Sequence, residues 1–152
     1  MQVSTGTIIT STDLLKGSIF EQSIICITEK NEDGATGFVV NRSFPKALNQ
    51  LVEFSSSPAF PLCNGGPVET EKLFFIHQRP DLIEDGKPVG NGIYVGGNFK
   101  QAVECINKGL VNSSHIKLFI GYCGWDAGEL EAELEEGSWR VMDAGMEAVF
   151  GK

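Results

Sequence analysis

The sequence predicts an α+β fold in which a mixed, largely antiparallel sheet is flanked by helices. Short apolar, β-branched segments recur along the chain, and the clearest pair of them predicts an antiparallel hairpin. Helical segments are interspersed without the strict strand and helix alternation of a doubly wound fold. Eighteen glycines among 152 residues exceed the usual share of about 7% and indicate many tight turns.

The first third of the chain predicts three strands. Gly6–Thr10 is a short strand, and a turn of helix is expected in the segment that follows it. Ser23–Glu29 is mostly apolar and β-branched, which predicts a buried strand. The polar turn at Asp33 and Gly34 suits a hairpin, so Thr36–Asn41 is predicted to be the returning strand.

The middle of the chain combines short elements with loops. Pro45–Phe54 predicts a short helix with proline in its first turn. A short strand then ends at a glycine turn, and Lys72–Gln78 predicts another strand. Residues 79–92 are rich in proline and glycine, which predicts a mobile loop before a short strand at residues 93–97.

A helix is predicted from Asn98, whose side chain would cap it, to Gly109. Its apolar residues recur at helical spacing and define one buried face: Phe99, Ala102, Val103 and Ile106. The next strand, residues 115–124, is expected to run into a glycine turn at Gly121–Trp125. After Trp139 the pattern predicts a further strand and a partial helix.

The stretch from Gly121 to Trp139 holds six acidic residues and no basic residue. Asp126 and Glu129 have the spacing of a capping box, and Leu130 and Leu134 form a buried stripe at i, i+4. Gly137 would end this helix. The spacing favours a solvated helix face over a catalytic carboxylate pair, while a functional role for Asp126, Glu129 or Glu133 stays open.

The net charge of −8 and the sequence pI near 4.7 make direct nucleic-acid binding unfavourable, because such binding starts from a basic patch. No apolar run is long enough to cross a membrane, and the first residues lack the pattern of a signal peptide, so a cytoplasmic protein is expected. Four separated cysteines and two histidines do not show zinc-ligand spacing, so neither a metal nor a cofactor is expected.

Four ordered motifs resemble the YqgE/AlgH family of bacterial proteins. The acidic stretch, GYCGWDAGELEAELEEGSW, resembles the strongest of its signatures, although Glu129 stands where the family usually has Gln. Residues 6–42, NGGPVETEKLFFIHQ (64–78) and GIYVGGNF (92–99) match further blocks in order. The resemblance covers nearly the whole chain, and it implies one domain over residues 1–152.

The resemblance implies a bifurcated sheet with a small barrel-like part, surrounded by helices. It also implies a C-terminal helix that is missing or only begun here, since the tail ends at Lys152. The family name implies a role in transcriptional regulation, and the acidic charge fits an indirect role better than DNA contact. No enzymatic activity comes with the resemblance.

Six residues are candidates for a pocket or an interaction site: Asn41, Gly65, Gly66, His77, Tyr122 and Trp125. His77 could act as a general base, although a hydrogen-bonded structural role is favoured. The Gly65–Gly66 turn could hold an anion and Trp125 could stack on a ligand, but structural roles are favoured for both. For Asn41, at the end of the hairpin strand, the favoured structural role is capping of a turn. Cys123 precedes a predicted helix start that could stabilise a thiolate, against a simpler buried role.

Two functional hypotheses follow from these residues. The first is a non-enzymatic regulatory or protein-binding module, which predicts exposed apolar surface and no deep polar cleft. The second is a sensor or enzyme for a small molecule, which predicts that the six candidate residues converge around one concave site. The distance between His77 and Trp125 distinguishes the two.

Overall fold

The computed structural model describes residues 3–143 and 146–150. These described residues form nine strands: β1 Ile8–Ser11, β2 Ile24–Asn31, β3 Gly34–Val39, β4 Leu62–Asn64, β5 Val68–His77, β6 Lys87–Gly90, β7 Ile93–Val95, β8 Ile116–Asp126 and β9 Trp139–Met142. The three α-helices are α1 Phe99–Asn107, α2 Glu129–Glu136 and α3 Met146–Phe150. No helix in these ranges is both long enough and apolar enough to span a membrane.

The strands form one sheet in the order β6-β7-β5-β8-β3-β2-β1-β9, with every neighbouring pair antiparallel. β4 leaves this path and pairs in parallel with Leu118–Ile120 of β8. The long strand β8 therefore pairs with β4 in its first half and with β3 in its last four residues, and the sheet divides at this point. The predicted mixed, largely antiparallel α+β fold is confirmed.

The sheet is curved but open, since the hydrogen-bonded path through the described residues ends at β6 and β9. β6 approaches β1 and β2 without pairing with them. Lys87 of β6 lies 3.7 Å from the carboxylate of Glu29 on β2. At Gly6, a Cβ atom would overlap the carbonyl group of Val89 on β6. The curvature thus gives a barrel-like part without a closed barrel.

The core consists of three apolar clusters. The first joins the sheet to α1 through Ile116, Leu118, Ala102 and Ile106. The second fills the inside of the curved sheet, where Val149 and Phe150 of α3 pack among the strands. The third joins β1, β2 and β3 to α2. α3 therefore occupies one end of the curved sheet.

α1 has the predicted cap, because the amide of Gln101 donates to the Asn98 Oδ1 atom at 3.0 Å. Ala102, Cys105 and Ile106 are its buried residues, whereas Val103 is only half-buried. α2 has half of the predicted capping box. The Asp126 amide donates to Glu129 Oε1 at 2.9 Å, while the N-cap position itself is Gly128.

Glu133 of α2 is not part of a fully solvated acidic face. Its Oε1 atom accepts hydrogen bonds from the indole N–H of Trp125 at 3.0 Å and that of Trp139 at 2.9 Å. Leu130 is buried beside them, and Gly137 ends the helix in a left-handed conformation. One carboxylate therefore joins both tryptophans to α2, which gives Glu133 a structural role.

The structure corrects three local predictions. Pro45–Phe54 is not an α-helix but contains two 3₁₀ turns, Leu48–Gln50 and Val52–Phe54, since the Leu48 amide bonds to Phe60 rather than to an upstream helical turn. The predicted loop at residues 79–92 contains β6. The predicted turn at Gly121–Trp125 belongs to β8, because β3 pairs with its residues up to Asp126.

Candidate functional site

His77 lies at the end of β5 and is fully buried between the rings of Phe75 and Tyr94. Its Nδ1 atom accepts a hydrogen bond from the Arg79 amide at 3.1 Å, so Nε2 carries the proton and donates to the Gly96 carbonyl at 3.2 Å. Burial lowers the pKa of His77, and the carbonyl of Gly96 partly offsets this effect. Both ring nitrogens of a neutral imidazole are thus engaged: Nε2 joins β5 to the residue after β7, and Nδ1 holds the turn that follows β5.

His77 and Trp125 lie far apart along β8. His77 pairs with Ile116, and Trp125 is nine residues further along the same strand. At the rise of a β-strand this separation is on the order of 30 Å. Trp125 packs against Trp139 with the ring centroids 6.1 Å apart and bonds to Glu133. The structure therefore does not bring these two candidate residues together.

Three of the other candidates meet where β3, β4 and β8 divide. The Gly65 amide donates to the Ile120 carbonyl at 2.9 Å, and its carbonyl accepts from the Val39 amide at 3.0 Å. A Cβ atom at Gly66 would overlap the main chain of Tyr122, so only glycine fits here without a shift. These close main-chain contacts fix the shape of the surface above them.

Asn41 holds the loop that borders this surface. Its Oδ1 atom accepts from the Ile24 amide and its Nδ2 atom donates to the Gln22 carbonyl, both at 2.9 Å. The next residue, Arg42, donates from its guanidinium to the carbonyls of Ile19 and Glu21. The loop that joins β1 to β2 is thus fixed by side chains from the end of β3.

A groove of about 370 Å³ lies between this loop and the glycine turn, and we call it the loop groove. Its lining residues are Ile19, Phe20, Val39, Arg42, Asn64, Gly66, Pro67 and Thr70. Ile19 is 64% exposed at its edge, and Phe20 packs against Trp139 with centroids 5.6 Å apart. Among the candidates predicted from the sequence, only Gly66 lines this groove, and Asn41 supports its wall.

Arg42 supplies a positive charge to the loop groove. No carboxylate lies within 4 Å of its guanidinium among the residues that the structure describes. Its guanidinium donates two hydrogen bonds to carbonyl oxygens, which orient the group without neutralising it. The sequence prediction missed Arg42 and Ile19, and the only available signal was an apolar Ile-Phe pair within a polar loop.

A second apolar groove, of about 430 Å³, adjoins the first at Thr70, which lines both. Its apolar walls include the half-buried side chains of Phe44, Leu51, Phe54, Leu73 and Phe99. The register between β5 and β8 skips from Val68 to Leu73. The bulged segment between them carries Thr70 and separates the two grooves.

The buried cysteines are poorly suited to nucleophilic chemistry. Burial raises the pKa of Cys123, which lies beside the Gly65 carbonyl, to about 12, and Cys26 is raised to a similar value by the same cause. The predicted helix start after Cys123 does not act on it, since β8 continues to Asp126. Within residues 3–143 and 146–150, no group of three His, Cys, Asp or Glu side chains could hold a metal ion.

Comparison with known proteins agrees with the topology. A family model described as AlgH-like matches residues 7–152. This chain belongs to the AlgH-like family. A UPF0301 protein of Chlorobaculum parvum is 36% identical over 143 residues, which cover 94% of this chain and 76% of that protein. A UPF0301 protein of Bacteroides thetaiotaomicron is 32% identical over a segment that covers 91% of this chain and 70% of that protein.

Two solved structures share the AlgH-like fold. The solution structure of the AlgH protein from Pseudomonas aeruginosa is 26% identical, with a TM-score of 0.77 over 99% of this chain and 84% of that chain. The protein in a crystal structure from Corynebacterium diphtheriae is 20% identical, with a TM-score of 0.80 over 99% of this chain and 81% of that chain. The names of these relatives state no activity, so membership of the family identifies no reaction.

Proposed function

We propose that this AlgH-like protein is a non-enzymatic, cytoplasmic regulatory module that binds an extended peptide segment of a partner protein in the loop groove. The observation that carries the proposal is the juxtaposition of an exposed apolar side chain, Ile19, with an oriented and unneutralised cation, Arg42. The segment that fits carries a bulky apolar side chain next to a carboxylate. A role in transcription would then be exercised through this partner.

The apolar contact supplies the affinity. Burying an exposed aliphatic side chain contributes about 1.5–3 kcal/mol when the burial is complete. The wall that presents Ile19 is held by Asn41 and Arg42, so little further ordering is needed when a partner binds. A fixed groove of this kind suits recognition of a flexible segment, whose own ordering is then the main entropic cost.

The charge of Arg42 supplies specificity. A guanidinium recognises a carboxylate through charge-assisted hydrogen bonds, and carbonyl partners leave its charge available. The net charge of −8 repels a strongly acidic partner at long range. We therefore expect one carboxylate within an otherwise neutral or basic segment, which is also a charge pattern that differs from that of a nucleic acid.

The shape of the surface favours an elongated occupant. The loop groove and the second apolar groove adjoin at Thr70, which lines both. An extended peptide covers about 3.3 Å per residue, and about six residues would reach from one groove into the other. A compact small molecule would occupy only one of them.

A display library of random twelve-residue peptides tests the proposal. We expect selection on the folded protein to enrich peptides in which a bulky apolar residue neighbours Asp or Glu. An enriched peptide, made synthetically, should bind with a dissociation constant on the order of 10 µM by isothermal titration calorimetry. Ile19→Ser should weaken that binding about tenfold or more.

Leu110→Ser is the matched control, because Leu110 is 50% exposed and lies outside the lining of both grooves. It removes the same kind of side chain and should leave the affinity unchanged. Arg42→Lys keeps the charge but loses the fork of donors, and it should weaken acidic peptides more than amidated versions of them. Equal binding by Ile19→Ser and Leu110→Ser would refute the loop groove as the site.

A further inference from the structure

β2 carries a β-bulge that alters the direction of its side chains. Ile27 pairs with Gly37 and Glu29 pairs with Thr36, so Thr28 is the additional residue between two consecutive partners. Such a bulge bends the strand and re-aims the side chains next to it. As a result, Thr28 and Glu29 both line the same concave surface, although they are adjacent in the chain.

That surface is a groove of about 320 Å³ at the end of the curved sheet where β6 approaches β2. We call it the aromatic groove. Its lining residues are Thr28, Glu29, Thr36, Phe38, Phe74, Lys87, Val95 and Tyr122. It shares no residue with the loop groove, so an inference about it stands apart from the proposed function.

The aromatic side chains of this groove are already arranged for stacking. Phe38 packs at a tilt against Phe74, with ring centroids 5.8 Å apart, and Phe74 makes an edge contact with Tyr122 at 5.5 Å. The Tyr122 hydroxyl is held from the outside by Glu69 at 3.2 Å. The rings therefore present a fixed apolar surface that offers faces and edges to a flat guest.

Two hydroxyl groups lie at the same surface without partners. Thr28 is only 3% exposed as a residue, yet among the described residues its hydroxyl is not one of the fully buried unpaired polar atoms, which are Ser23 Oγ and Asn49 Oδ1. Neither the Thr28 nor the Thr36 hydroxyl makes a hydrogen bond within the described residues, so both are free to bond at the groove surface. Polar groups in such a confined position are mostly satisfied by protein, water or ligand. A guest with one polar atom at this point would satisfy Thr28.

The rim of the groove is polar, and a weak ion pair joins its two sides. Lys87 and Glu29 form an ion pair at 3.7 Å between β6 and β2, and both side chains are exposed. An exposed pair of this kind contributes little, so its separation on ligand entry costs little. The opposite end of the curved sheet is filled by α3, where Lys117 donates to the carbonyls of Val40 and Val149.

From these observations we propose that the aromatic groove is a binding site for a small, planar aromatic molecule with one polar edge. The ring lies against Phe38, Phe74 and Tyr122, and the polar edge bonds to the hydroxyl of Thr28. The groove volume admits one or two fused rings but no polymer. Entry is past Lys87 and Glu29, because α3 fills the other end.

Three small amides and hydrocarbons serve as probes. Benzamide has the ring and the polar edge, cyclohexanecarboxamide has the polar edge without the aromatic ring, and toluene has the ring alone. In protein-observed NMR titrations of the full chain, benzamide should bind with a dissociation constant on the order of 1 mM. It should shift the ring resonances of Phe38, Phe74 and Tyr122, and cyclohexanecarboxamide should bind several-fold more weakly.

Thr28→Val removes the hydroxyl while keeping the shape of the side chain. It should weaken benzamide roughly five- to tenfold and leave toluene unchanged. Thr70→Val is the matched control, because Thr70 lines the other grooves and not this one. If Thr28→Val does not fold, Thr36→Val provides the same comparison at the neighbouring hydroxyl.

Several results would overturn the site. The site is refuted if benzamide leaves the three ring resonances unmoved, if cyclohexanecarboxamide binds as tightly as benzamide, or if Thr28→Val behaves like Thr70→Val. None of these results bears on peptide binding, which uses Ile19 and Arg42 in the loop groove. The two proposals therefore succeed or fail independently.

Discussion

Replacing Glu133 by Ala removes the one carboxylate oxygen that accepts from both tryptophan side chains. Trp125 is 8% exposed and Trp139 is 3% exposed, so neither indole N–H gains full access to water in the variant. We therefore expect Glu133→Ala to destabilise the protein strongly, although Glu133 lies in a helix that looks like a solvated acidic face in the sequence.

The magnitude follows from the two unsatisfied donors. Leaving a buried donor without a partner costs about 1–3 kcal/mol, and charged acceptors lie at the upper end of that range. Both indoles are incompletely buried, so about 1–2 kcal/mol each is appropriate, and the expected loss of unfolding free energy is about 2–4 kcal/mol. In a protein of this length that corresponds to a melting temperature roughly 5–15 °C lower. Glu133→Gln keeps an acceptor oxygen and should lose about 1 kcal/mol.

Urea denaturation followed by circular dichroism measures these differences. Glu135→Ala is the matched control, because Glu135 is exposed on the same helix and gives the same change in helix propensity. The control should change the unfolding free energy by less than about 0.5 kcal/mol. If Glu133→Ala is as stable as Glu135→Ala, the two indole hydrogen bonds do not hold α2 in place and our account of this helix is wrong.

Three further predictions concern buried positions. Gly66→Ala should lose at least about 2 kcal/mol of unfolding free energy, because its Cβ would overlap the Tyr122 main chain. Gly109→Ala has open space around the new Cβ atom and should lose only about 1 kcal/mol. Urea denaturation measures both values. The folded-state pKa of His77 is lowered, so the unfolded chain binds the proton first and stability should fall as pH decreases below about 6.5; His77→Gln should reduce this slope in denaturation curves at pH 5.5 and 7.5. The Cys123 thiol, with a pKa of about 12, should react with iodoacetamide only after unfolding. Mass spectrometry of peptides measures the labelling, and labelling of the native protein at this position would contradict its burial.

Local sequence patterns were sufficient to predict the elements that are determined by their own residues. The hairpin of β2 and β3 follows from two β-branched segments around Asp33 and Gly34. α1 follows from helical spacing with a cap at Asn98 and a glycine at its end. In both cases the residues that determine the element lie within the element or next to it, so a single sequence contains what is needed.

The incorrect elements depend on distant partners. The glycines of the Gly121–Trp125 segment favour a turn on local propensity, yet this segment is a strand because β3 pairs with it. Close main-chain packing at Gly65 and Gly66 also requires small residues along β8. β6 has only one buried residue, Val89, so it shows no periodic pattern in the sequence.

The candidate site was predictable only in part, for the same reason. Gly65, Gly66 and Tyr122 meet because adjacent strands bring them together, and glycines at a strand end pointed to a close approach. Arg42 resembles any surface arginine in the sequence, since its partners are carbonyls some twenty residues away. Thr28 was invisible because alternation of side chains gives no sign of a bulge.

The pairing of β1 with β9 has a consequence for synthesis on the ribosome. Ile8 of β1 pairs with Met142 of β9, so one edge of β1 stays unpaired until β9 has emerged. At ordinary rates of translation this interval is on the order of ten seconds. During that time the nascent chain exposes an apolar strand edge that could pair with another chain. Slower translation of the segment up to β9 would prolong this exposure.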